Sequence, residues 1–185
     1  RKKFSEYFGF LDAEVDELFE IYKHETENPE ISRADLRMWY DGYCTATGKR
    51  LYNPRSVVCA LTDNELSNYW TSSGPYDEIF YYIRNNIKDV RNDLVLMSAG
   101  EHIKMMLQGY AAMETELETK NQIYSAMVVY GLLTYEYGAV FIPNKELMDK
   151  FSEMLQREES LGYINRLAAE SERMLAATLR GDTET

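Results

Sequence analysis

The stretch from Trp39 to Trp70, WYDGYCTATGKRLYNPRSVVCALTDNELSNYW, constrains the fold of this chain more than any other. It holds both tryptophans, together with Tyr40, Tyr43, Tyr52 and Tyr69. Rings at that density supply a large apolar area, and their hydroxyl and indole groups need polar partners once buried. The stretch therefore predicts a half-buried aromatic core. A stacking platform for bases is the sharper alternative, but such platforms line positively charged grooves. Two devices give the stretch its local form. Asp41-Gly42 is a turn signal, because glycine takes positive φ without steric cost and aspartate bonds nearby backbone. Asn53-Pro54 starts a helix: asparagine accepts an orphan N–H, and proline fits the first helical position. Val57, Val58, Ala60 and Leu61 then bury one side of a short helix, with the rings of Tyr40, Tyr43 and Tyr52 packed over it.

Charge narrows the function classes. The chain carries 20 lysines and arginines against 31 aspartates and glutamates, a formal net charge of −11. That balance argues against phosphate-backbone binding as the main role and favours a basic partner surface. A length of 185 residues predicts one domain, or two small subdomains. Cys44 and Cys59 are too few for a disulfide framework and lack metal-ligand companions at useful spacing, so two reduced, partly buried thiols are expected. No apolar run approaches the length that spans a bilayer, and no secretory signal stands at Arg1. The expected location is intracellular, cytoplasmic or nuclear.

Periodicity predicts a mainly α chain with a small β part. Leu11, Val15, Leu18, Phe19 and Tyr22 recur at helical spacing, with Asp12 as N-cap, Glu14 in the first turn, and Phe8 and Phe10 stapling the entry. Ser32 caps a short helix through Ala34, Leu36 and Met38. Ser72-Ser73-Gly74-Pro75 is a turn, and Ile79, Phe80, Ile83, Ile87 and Val90 keep a helical period after it. Residues 93–110 are ambiguous by periodicity alone: Leu94 to Met97 reads as a buried strand, with Gly100 turning the chain and Ile103 to Leu107 free to pair. Ile123, Met127, Tyr130 and Leu133 mark another helix, with Gly131 inside the pattern. Tyr137-Gly138 is a turn before a strand at Ala139–Ile142. Pro143-Asn144 opens a helix on Leu147, Phe151, Met154 and Leu155, and a last helix spans about Leu161 to Leu179. The expected division is a helical part at 1–92 and a winged-helix-like part at 93–180.

Catalytic signals are missing. There is no glycine-rich phosphate loop, no serine nucleophile elbow, and no His or Cys spacing that suits zinc. His24 and His102 stand alone. Carboxylates are so plentiful that none is singled out.

Motif order supplies a resemblance. Trp39-Tyr40-Asp41-Gly42-Tyr43, then Leu51-Tyr52-Asn53-Pro54 with Ser56, then Asn68-Tyr69-Trp70, resemble the AAA-ATPase-like proteins that often carry a PD-(D/E)XK nuclease-like domain at their C-terminus. Tyr130-Gly131-Leu132-Leu133-Thr134 and Ile142-Pro143-Asn144-Lys145-Glu146 resemble two further segments of that family, in the same order. Arg55 departs from the pattern, which has tryptophan there. The resemblance implies a helical, lid-type segment placed after a nucleotide-binding core, with ATP and magnesium held by an upstream P-loop domain and none by this chain. Trp39 to Tyr43, Tyr52, Asn53, Pro54, Ser56, Tyr69, Trp70 and Pro143 to Glu146 are then structural joints, and Arg33 and Arg55 are candidates to face a nucleotide, since a guanidinium suits phosphate. Two other functions remain open. One is a free-standing protein-interaction module with an aromatic surface; the other is a winged-helix contact to nucleic acid using Arg84, Lys88, Arg91 and Lys104.

Overall fold

The computed structural model describes residues 9–45, 47–70, 88–107, 117 and 119–156. The expected turn at Ser72–Pro75, the apolar positions Ile79 to Ile87, the helix at Leu161–Leu179 and the Phe8 staple lie outside the described residues. Within them the chain is mainly α with a small β part, as six helices and two small antiparallel sheets.

The first half builds one core. Helices α1 (Asp12–Glu25), α2 (Arg33–Tyr40) and α3 (Pro54–Asp63) surround it, with a two-stranded ribbon of β1 (Tyr43–Cys44) and β2 (Arg50–Leu51) between α2 and α3. Val15, Tyr22, Leu36, Tyr40, Tyr52, Val57 and Ala60 are buried together there. The helix starts follow sequence chemistry. Ser32 and Asp35 cap α2 reciprocally: Ser32 Oγ accepts the Asp35 N–H at 3.1 Å, and the Asp35 carboxylate accepts the Ser32 N–H at 3.0 Å. Asn53 Oδ1 accepts the Ser56 N–H, and Pro54 occupies the first position of α3. At α1 the structure corrects the expected cap. Glu14 reaches back to the Leu11 N–H at 2.7 Å, so Leu11 is the cap residue, and Asp12 is free to turn its carboxylate to Arg33 and Tyr52. Phe10 and Tyr52 exchange backbone hydrogen bonds and tie the entry of α1 to the start of α3.

The second half builds another core on α4 (Lys88–Ser98), β3 (Ile103–Lys104), α5 (Lys120–Val129), β4 (Thr134–Glu136), β5 (Ala139–Phe141) and α6 (Lys145–Gln156). Leu94, Ile123, Met127, Leu133, Val140 and Phe151 lie at its centre. The sheet order is β3-β5-β4, all antiparallel, with one helix before β3 and another before the β4–β5 hairpin. Tyr137 (φ 47°) and Gly138 (φ 83°) form the two-residue turn of the hairpin, and positive φ at both central positions matches the twist of its strands.

Three expectations are corrected here. Leu94 to Met97 is helical, not a strand: Val90, Leu94 and Met97 face the core three and four residues apart, and Gly100 at φ 90° ends α4 with the Glu101 N–H on the Leu96 carbonyl. Gly131 (φ 71°) lies past the end of α5, not inside it. Val58, expected on the buried side of α3 with Val57 and Ala60, is exposed, since it does not share their stripe. Asn144 does cap α6 as expected, its Oδ1 accepting the Leu147 N–H at 3.2 Å.

Candidate functional site

Gly42, Tyr43, Ser56, Trp70, Pro143 and Glu146, from the separate motifs, converge where the two cores meet. Glu146 sits in the first turn of α6 and is fully buried. A buried carboxylate needs donors, and two come from the other half of the chain. Ser56 Oγ, in the first turn of α3, lies 3.1 and 2.9 Å from the two Glu146 oxygens. The Trp70 backbone N–H donates to Glu146 Oε1 at 2.6 Å. Burial raises the affinity of Glu146 for a proton above the usual carboxylate range, against the pull of the Trp70 and Ser56 donors. The N-terminal end of α6 adds the favourable field of its unpaired amides.

Further ties run along the same seam. Tyr43 donates its hydroxyl to the Gly131 carbonyl at 3.0 Å, and the Cys44 N–H donates to Thr134 Oγ1 at 2.8 Å. A Cβ on Gly131 would meet the rings of Trp70 and Tyr43 at about van der Waals distance. Gly42 is the tightest point. A Cβ there would stand 1.9 Å from the Pro143 carbonyl oxygen, and its φ of 121° disfavours any side chain. Lys145 stands 4.8 Å above the Trp39 ring and pairs with Asp149 at 2.7 Å. Tyr40 and Tyr52 stay in the first core. Tyr40 bonds both backbone groups of Ser67 through its hydroxyl, and its own carbonyl accepts the Asn53 N–H. The Tyr69 hydroxyl donates to the Glu65 carbonyl. Asp41 is buried, with Arg50 Nε at 3.2 Å. Residues that lie some ninety positions apart in sequence, such as Ser56 and Glu146, are therefore partners in one buried joint.

The two arginines proposed to face a nucleotide fall elsewhere. Arg33 turns its guanidinium inward: Nε donates to Asp16 at 2.7 Å, one terminal nitrogen to Tyr52 Oη at 2.9 Å and the other to Asp12 Oδ1 at 2.6 Å. The Tyr52 hydroxyl also donates to Asp12, which holds that carboxyl below its usual range with help from Arg33. Burial pushes the Tyr52 hydroxyl up to about 12. Arg55 is exposed in the first turn of α3. Thr134 was not foreseen at the joint, although a threonine beginning a strand after a glycine turn is a natural acceptor. Arg37 and Arg50, both beside Asp41, were also missed; the i, i+4 spacing of Arg37 and Asp41 is the signal that marks the first of them.

Cys44 and Cys59 are unbridged and half-buried. Among the described residues no group of three or more His, Cys, Asp or Glu stands close enough to hold a metal ion, and no helix is long and apolar enough to cross a membrane. No family model matches the chain, and no solved structure matches it. Over 72 residues it is 31% identical to a curated protein of Azotobacter chroococcum mcd 1, described as an uncharacterized protein in the vnfD 5' region. The matched stretch is 39% of this chain and 13% of that protein's length. Such an overlap establishes no family.

Proposed function

We propose that this chain is a non-catalytic lid and coupling segment, which closes over a nucleotide held by an upstream P-loop domain and links it to a downstream nuclease-like domain. The observation that supports this reading is the placement of the motif residues. Gly42, Tyr43, Ser56, Trp70, Pro143 and Glu146 lie at the seam between two cores, where hydrogen bonds of Tyr43, Ser56, Trp70 and Glu146 cross from one core to the other and Gly42 packs on Pro143. Side chains arranged for substrate chemistry would leave a reactive group open to a cleft; these make a joint that transmits motion from one packed body to the next. In this reading ATP and magnesium belong to the upstream domain, and Arg55 is the better placed of the two candidate arginines, because Arg33 is committed to Asp12, Asp16 and Tyr52.

The alternatives meet specific obstacles. A protein-interaction module with an aromatic surface needs its rings outside, whereas Tyr40 and Tyr52 are buried. A winged-helix contact to nucleic acid needs an exposed basic helix before the hairpin. Helix α5 holds that place, yet it buries Ile123 through Met127, and its single lysine, Lys120, is paired with Asp93. The experiment that tests the lid reading is determination of the full reading frame encoding this chain, followed by hydrogen exchange on that protein with and without ATP and magnesium. A P-loop upstream of Arg1, with slowed exchange along the seam when nucleotide binds, supports the reading. A reading frame without an upstream P-loop overturns it.

A further inference from the structure

Glu146 joins the two cores without a cation. It is fully buried, and the groups that face it from the first core are neutral. They are the Ser56 hydroxyl on α3, the Trp70 amide and, from α2, the buried Tyr40 hydroxyl, which is bonded to Ser67. Lys145, its neighbour on α6, turns to Trp39 and Asp149. On α4, which packs against α6 in the second core, Asp93 is paired with Lys120 and accepts the Tyr124 hydroxyl. No charged side chain among the described residues shifts the affinity of Glu146 for a proton. An ionised carboxylate here has only hydrogen bonds and the field of a helix end to offset the cost of its burial. The neutral acid fits the same partners. Trp70 donates to Oε1, which accepts in either form. Ser56 Oγ lies 2.9 Å from Oε2 and, as a hydroxyl, can accept a hydrogen bond from it as well as donate one. Burial outweighs the donors, so the closed joint holds its proton more tightly than a glutamate open to water does.

We infer that Glu146 is a proton-operated latch: the seam between the cores is closed most firmly while this carboxyl is protonated, and it loosens when the proton passes to water. The inference builds on the reading of the seam as a coupling joint. In an open seam Glu146 meets water and its proton affinity returns to the ordinary glutamate range, so rising pH favours the open arrangement above that range. The test is native-state hydrogen exchange on this chain, corrected for intrinsic rates, over a pH series from the ordinary glutamate range to past neutrality. The Trp70 and Cys44 amides, each bonded across the seam, report its opening, and those of the interior residues Tyr22 and Phe151 report unfolding of the two cores. The seam amides are expected to be less protected than the core amides at every pH, and to lose protection with rising pH by up to about tenfold per pH unit, the limit for one linked proton. Glu146→Gln cannot titrate and should level that curve. Ser56→Ala removes a charge-assisted donor to the ionised form and should carry the fall to higher pH; it decides the matter if Glu146→Gln does not fold, and an unmoved curve then counts against the latch. Seam protection that is independent of pH, that falls equally in Glu146→Gln, or that equals the protection of the core amides overturns the latch and leaves the joint. Seam amides unprotected at every pH overturn the joint and the lid reading with it.

Discussion

Glu146 is a carboxyl group enclosed by protein, held by a serine hydroxyl and a backbone amide from the opposite core. Burial raises its proton affinity in the folded state above the unfolded value. The folded protein therefore binds more protons than the unfolded chain in the window just above the ordinary glutamate range, and stability falls as pH rises through that window. Glu146→Gln keeps an acceptor for the Trp70 N–H but cannot titrate. Urea midpoints measured across that window should fall with pH in the natural protein and lose that part of the fall in the variant. Gly42 gives a second residue-level expectation. Gly42→Ala would place a methyl group against the Pro143 carbonyl in a backbone conformation that disfavours it. The expected loss is about 3 kcal/mol or more, read from denaturant midpoints.

Single elements show what a sequence displays and what it hides. Asn53-Pro54, Ser32 and Asn144 are legible because a cap is a local contract between a side chain and the amide three residues on. Asn53→Ala should accordingly cost about 1 kcal/mol, measured by thermal unfolding. The β4–β5 hairpin is legible for the same reason, since Tyr137-Gly138 sets its turn. Helix α4 was harder. Leu94-Val95-Leu96-Met97 is apolar on every side of any repeat, so its period carries no information, and the helix is decided by which of these residues the second core buries. Gly131 misled in another way: a glycine in a helical pattern looks like a packing point, whereas its positive φ ends the helix and its carbonyl receives Tyr43. The motif residues were legible as a set, but the joint was not. Nothing local in YNPRS or IPNKE announces that Ser56 and Glu146 are partners, because that pairing exists only once both cores have formed.

At the scale of the whole molecule, the described residues form two hydrophobic cores that share a polar seam. Hydrogen bonds from Tyr43, Cys44, Ser56 and Trp70 cross it, and the Gly42–Pro143 approach leaves no room for sliding. Packed bodies joined in this way switch between discrete arrangements and do not deform gradually. The central claim is that the seam couples the two cores energetically, and native-state hydrogen exchange on Phe151→Ala tests it most directly. Phe151 is fully buried in the second core, and its truncation should destabilise that core by about 3–5 kcal/mol. If the joint transmits that loss, amides of α2 and α3 in the first core lose protection by a comparable amount. If α2 and α3 exchange as slowly in the variant as in the natural protein, the two cores are independent, and the coupling account is wrong.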